Sequence, residues 1–162
     1  MNRFENKVVL VTGAASGIGR ATAKLLTAKG YIVSIADRNS EGLAETFKSL
    51  QDAGLPHGVK HLATTIDVTN SQQVNAWINK TLEEYGRIDA AANIAGILYD
   101  DRLLKDETDE RFMNTMNVNV NGVSYCLRAQ INAMEDGSSI VGFMIKTRRN
   151  AFGRILGEFG ID

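Results

Sequence analysis

The strongest constraint on this chain is the segment Val8 to Gly19, which reads Val-Val-Leu-Val-Thr-Gly-Ala-Ala-Ser-Gly-Ile-Gly. Val8, Val9, Leu10 and Val11 form an unbroken apolar run rich in β-branched residues, the pattern of a short strand buried on both faces. A glycine-rich turn follows. Ile18, Ala21, Thr22, Leu25 and Leu26 then recur at helical spacing. A buried strand that passes through a glycine turn into a helix is a phosphate-binding element. The glycines let the turn close tightly and bring backbone amides up to a pyrophosphate, and the helix N-terminus adds unpaired N–H groups and a partial positive charge. The glycines stand at 13, 17 and 19, and Thr22 takes the third place of the G-x-G-x-x-G form. The setting between strand and helix points to a dinucleotide as ligand.

A second strand is expected at Tyr31–Ala36 after a helix capped by Gly30, and it ends on Asp37. An acidic residue about 20 positions beyond a glycine turn is placed to accept hydrogen bonds from the adenosine ribose hydroxyls. Asp37 would repel a 2′-phosphate by up to about 4 kcal/mol near a surface, and Arg38 could offset part of that by pairing with it. NAD is therefore expected in preference to NADP. Ser40 is placed to cap a helix carrying Leu43, Ala44, Phe47 and Leu50, and a loop follows at 54–58. A third strand is expected near His61–Ile66, leading into Asp67-Val68-Thr69. His57 and His61 straddle loop and strand rather than sharing a helix face, so no metal site is expected. Val74, Trp77, Ile78, Thr81, Leu82 and Tyr85 mark a core-facing helix ended by Gly86, and Ile88–Ala92 a strand of mostly small residues before Asn93-Ile94-Ala95-Gly96.

Thr12-Gly13-x-x-Ser16-Gly17-Ile18-Gly19, Asp67-Val68 and Asn93-x-Ala95-Gly96, in this order and separation, resemble the cofactor motifs of the short-chain dehydrogenase/reductase family. The resemblance implies an NAD(P)(H)-dependent oxidoreductase that exchanges hydride with an alcohol or ketone. It puts Asp67 beside the adenine ring and the Asn93 motif beside the cofactor, bracing the central sheet. A long helix is expected from about Thr108 towards Met134, with Phe112, Met116, Val120, Val123, Leu127 and Ile131 along one side. On it, Asn119-Val120-Asn121-Gly122 resembles the family's N-x-x-G, which makes Asn119 the counterpart of the catalytic asparagine that holds a water in the proton relay. A fifth strand is expected over Ser138–Val141.

At Gly142 the resemblance stops. The family continues with a serine that bonds the substrate carbonyl and a Tyr-x-x-x-Lys whose tyrosine moves the proton. Here the residues read Gly142-Phe143-Met144-Ile145-Lys146-Thr147. The tyrosines are 31, 85, 99 and 125, and four residues beyond them stand Ile35, Asp89, Leu103 and Ala129.

The expected fold is therefore α/β, a Rossmann-type doubly wound parallel sheet of about five strands, incomplete for the family. Residues 1–141 make the dinucleotide-binding domain and 142–162 a divergent tail. In that tail Phe152, Ile155, Leu156 and Phe159 have helical spacing, against Gly153, Gly157 and Gly160. A shifted reading frame or a splice event would explain so abrupt a change. The expected function is a shortened form that binds the cofactor and lacks activity; the alternative is a non-catalytic module that pairs with a full-length relative or with itself. A net charge of −1 gives no reason to expect nucleic acid or membrane as partner. With Cys126 as the one cysteine no internal disulfide can form, and a cytoplasmic location is expected.

Overall fold

The computed structural model describes residues 7–53, 60–99 and 104–142. Strands and helices alternate along them. β1 (Val8–Thr12) leads into α1 (Gly17–Ala28), β2 (Ile32–Asp37) into α2 (Ser40–Ala53), and β3 (Leu62–Thr65) into α3 (Ser71–Tyr85). After β4 (Ala90–Asn93) come α4 (Asp109–Met116), a π-helical stretch over Asn117–Gly122, α5 (Val123–Ala133) and β5 (Ser139–Gly142). The sheet order is β3-β2-β1-β4-β5, and every neighbouring pair is parallel. This is the doubly wound α/β sheet expected from the sequence. The chain winds outward on one side of β1 and then returns to its other side as β4. That reversal leaves a crevice beyond the carboxyl ends of β1 and β4.

The core explains why β1 and β2 are apolar without interruption. Val9, Val11, Val33 and Ile35 point to one face, against Ala23 of α1 and Leu43 and Leu50 of α2. Leu10 and Ala36 point to the other, against Val74, Trp77 and Ile78 of α3 and Cys126 and Ala129 of α5. Both faces are covered, so alternation with polar residues is lost. Ser34 is the exception on β2, and its burial is compensated. The Trp77 indole Nε1 donates to Ser34 Oγ at 2.9 Å, and Ser34 Oγ lies 2.8 Å from Thr81 Oγ1. Thr81 in turn donates to the Trp77 carbonyl at 3.0 Å. His61 is also a packing residue. Its Nδ1 accepts from the Val33 amide at 3.1 Å, which leaves Nε2 protonated and facing Thr27 Oγ1 at 3.4 Å. Burial pushes its pKa down to about 4.

Several local expectations are revised. The cap of α2 is Asn39, not Ser40: Asn39 Oδ1 accepts from the Gly42 amide at 3.1 Å. The long helix is broken by its π-helical stretch, and the face that packs inward is Val118, Gly122, Cys126, Ala129 and Gln130. The expected apolar stripe is largely turned to solvent, with Phe112 51 %, Val120 48 % and Ile131 66 % exposed. Small residues won the inward side because the helix lies close against the sheet. A Cβ at Gly122 would stand 2.8 Å from Val68 Cγ2. His57 and the amphipathic pattern of the tail lie outside the described residues. Among the described residues no helix is long and apolar enough to cross a membrane, and no cluster of His, Cys, Asp and Glu could hold a metal.

Candidate functional site

The turn from β1 to α1 is shaped by two close approaches that only glycine allows. Gly13 has φ +71°, and a Cβ there would lie 2.7 Å from the Ala95 amide nitrogen. At Gly19 a Cβ would stand 2.0 Å from the Gly13 carbonyl oxygen. Gly17 differs: its φ is +49°, but nothing lies within 4 Å of where its Cβ would be, so its outer side faces open space.

The first turn of α1 begins at that open side. Ser16 occupies the N-cap with extended backbone, yet its side chain makes no capping bond, and no acidic residue sits in the first turn. The other helices that leave loops are capped: α2 by Asn39, α3 by Asn70 and α4 by Thr108. The amides at the start of α1 are thus left to an outside acceptor, and the helix dipole favours an anionic one.

These amides open on a cavity of about 510 Å³ at the crevice between β1 and β4. Of the residues expected to bind cofactor, Gly13, Ser16, Gly17, Ile18, Gly19, Asp37, Arg38, Asp67, Val68, Ala95 and Gly96 line it. Residues from five separate segments of sequence meet there. Sequence reasoning missed Ala15, Asn39, Ile66, Ile94, Ile97 and Val118, which also line it. Apolar residues at strand ends carry no signal of their own.

Thr12 and Asn93 stand behind the cavity rather than on its wall. The Thr12 hydroxyl accepts from the amides of Ile94 and Ala95 at 3.0 and 3.1 Å, which ties the end of β1 to the segment after β4. Asn93 and Gln130 exchange two amide bonds, at 2.8 and 2.9 Å, with both side chains buried. Asn119 does similar work at its end of the cleft. Its Nδ2 donates to the Ile97 carbonyl at 2.8 Å and its Oδ1 accepts from the Ile97 amide at 2.8 Å. The N-x-x-G segment therefore clamps the loop that carries Ile97, and the π-helical stretch is what turns Asn119 towards it.

Asp37 and Asp67 are held by backbone bonds. Asp37 Oδ2 accepts from the Ala15 amide and Oδ1 from the Asn39 amide, each at 2.9 Å. Asp67 Oδ1 accepts from the Thr69 amide and hydroxyl at 2.9 and 2.8 Å. No tyrosine of the described residues faces the cavity as a proton donor. Tyr85 gives its hydroxyl proton to the Lys60 carbonyl at 2.7 Å, and burial beside Glu84 pushes its pKa to about 12. Tyr125 is not on the cavity wall and instead borders a separate, open hollow together with Asp67 and the start of α3.

The family model for short chain dehydrogenases matches residues 7–147. The chain belongs to the short-chain dehydrogenase/reductase family. A relative of that name, ABA4 of Pyricularia oryzae, is 37 % identical over 140 residues, which is 83 % of this chain and 50 % of the relative. Chanoclavine-I dehydrogenase of Aspergillus fumigatus is 33 % identical over 144 residues, covering 83 % of this chain and 53 % of the enzyme. Among solved structures, an NAD+-bound xylitol dehydrogenase superposes with a TM-score of 0.81 at 30 % identity, over 86 % of this chain and 53 % of the other. The chain thus spans about half the length of the relatives it matches. As a short-chain dehydrogenase/reductase, it belongs to a family of oxidoreductases that use NAD(P), and its uncapped α1 turn and Asp37 fit that cofactor.

Proposed function

We propose that residues 7–142 are the cofactor-binding half of a short-chain dehydrogenase/reductase. In this reading the 162-residue chain binds NAD(H) without carrying out hydride transfer by itself. The observation that carries it is the uncapped N-terminus of α1, opening on the same cavity as Asp37. The α1 amides take the pyrophosphate and Asp37 takes the adenosine ribose hydroxyls. Ile66, Asp67 and Val68 border the adenine end. Asp37 favours NAD over NADP by charge. Bound NAD(H) would supply the hydride donor or acceptor for an alcohol or ketone. Asn119 is in place to shape the cleft, but the 162 residues contain no Tyr-x-x-x-Lys to move the proton.

Calorimetric titration with NAD and NADP tests the binding, and NADH absorbance with an alcohol and ketone panel tests turnover. Tighter binding of NAD with no turnover is the expected result; equal affinity for both cofactors would remove Asp37 from its assigned role. A second reading is favoured by the outer face of α4 and the π-helical stretch. Phe112, Met113, Met116 and Val120 are exposed together there. Such a face suits a module that pairs with a longer relative or with a second copy. Co-purification with a longer family member tests it.

A further inference from the structure

The segment Ala14–Ala15, which leads into the α1 amides, has all four of its backbone polar groups bonded, both amides to the end of β2 and the two carbonyls to side chains of α2 and α1. The Ala14 amide donates to the Ala36 carbonyl at 3.3 Å, and the Ala15 amide to Asp37 at 2.9 Å. The Thr46 hydroxyl donates to the Ala14 carbonyl at 2.9 Å. The Arg20 guanidinium donates to the Ala15 carbonyl, to the Gly42 carbonyl at 3.1 Å and to Glu45 Oε2 at 2.9 Å. Thr46, Gly42 and Glu45 all belong to α2. Helix α2 also seats directly on the turn, since a Cβ at Gly42 would lie 2.9 Å from the Ala15 carbonyl oxygen.

We propose that Thr46 and Arg20 are positioning residues for dinucleotide binding. They hold the carbonyls of Ala14 and Ala15 back towards α2, so that the amides from Ser16 to Gly19 stay turned towards the cavity. Neither residue lines the cavity itself. Thr46 is fully buried with its hydroxyl oxygen 2.9 Å from the Ala14 carbonyl of the turn. It also lies 3.0 Å from the Gly42 carbonyl, the ordinary contact of a helical threonine. Arg20, itself on α1, reaches the turn and α2 through one terminal nitrogen, Nη2. Preorganised donors bind better because the ordering cost is already met in the free protein.

The inference rests on the cofactor reading above, and its test separates the two. The full chain is titrated with NAD and, by ligand-observed NMR, with adenosine, which has no phosphate for the turn to bind. Thr46→Val keeps the shape and removes the donor, Thr46→Ser keeps the donor, and Arg20→Met removes the Nη2 donor. One neutral hydrogen bond predicts a loss of about threefold to tenfold in NAD affinity for Thr46→Val. Adenosine affinity should hold within about twofold, and Thr46→Ser should restore NAD binding. Arg20→Met should repeat the phosphate-selective loss. If wild-type chain fails to bind NAD, the cofactor reading falls and this inference with it. If wild type binds NAD and Thr46→Val binds it equally well, or loses NAD and adenosine alike, the positioning role alone is overturned.

Discussion

Replacing Asp37 with alanine separates the ribose contact proposed for its carboxylate from the support that the same carboxylate gives the turn. Facing the cavity, it is placed to accept from ribose hydroxyls, and a hydrogen bond to a charged group is worth about 1.5–3 kcal/mol. Its loss should weaken NAD binding by about 10- to 150-fold. Facing the protein, it accepts from the amides of Ala15 and Asn39. Asn39 is exposed, so water replaces that bond, but Ala15 is 3 % exposed and its amide is left without an acceptor. An unsatisfied buried donor costs about 1–3 kcal/mol. For a domain of this size that lowers the melting temperature by about 3–10 °C. NADP should behave differently, because the same substitution removes repulsion from the 2′-phosphate. Its affinity is expected to hold or rise while that for NAD falls. Differential scanning fluorimetry without ligand reads the first effect, and titration of both cofactors reads the second. Equal losses for NAD and NADP would refute the ribose contact and leave Asp37 as a support of the turn. An unchanged melting temperature would refute the support.

Gly19→Ala should abolish cofactor binding and destabilise the fold by more than about 3 kcal/mol, because its Cβ would overlap the Gly13 carbonyl at 2.0 Å; chemical denaturation and NAD titration check both. Gln130→Leu strands both polar atoms of buried Asn93 and should cost about 2–4 kcal/mol, part of which the double variant with Asn93→Leu recovers. His61 has its folded pKa lowered from 6.5 to about 4, so the unfolded chain takes up the proton first. Stability is complete above pH 6.5 and is expected to fall as pH drops towards 4 with a slope of up to one proton, a dependence that His61→Gln should flatten in pH-resolved denaturation. Burial pushes the Cys126 thiol up to about 12, so iodoacetamide at pH 8 should leave the native chain unmodified and alkylate it once denatured, as mass spectrometry would show.

The elements built from short-range patterns were readable before any coordinates. A β-branched run and a glycine turn are local preferences, and here the tertiary context agrees with them: β1, β2, α3 and the parallel winding stand where the residues indicate. Helix α1 also forms where expected, but it turns Gly19, Ala23 and Thr27 inward and leaves Ile18 and Leu25 of its stripe exposed. Most of the cavity-lining residues were legible because glycines at close approaches and an acidic residue at a strand end carry a recognisable chemistry. What could not be read were relations between distant segments. Asn39 took the cap of α2 from Ser40 because the chain leaving Asp37 was already turned by the bond from the Asn39 amide to that carboxylate.

The long helix shows the limit best. Its larger apolar residues suggest a core-facing stripe, yet Gly122, Cys126 and Ala129 face inward because α5 must pass close to the Val68 loop and the sheet. The π-helical stretch that turns Asn119 onto Ile97 is a register change no periodicity announces. The same holds for Thr46 and Arg20, which belong to none of the expected stripes or motifs and whose bonds to the turn exist only once α2 is seated against it. Side-chain spacing along the chain sets which elements form. The distances between elements, which decide which polar atoms find partners, arise from packing alone.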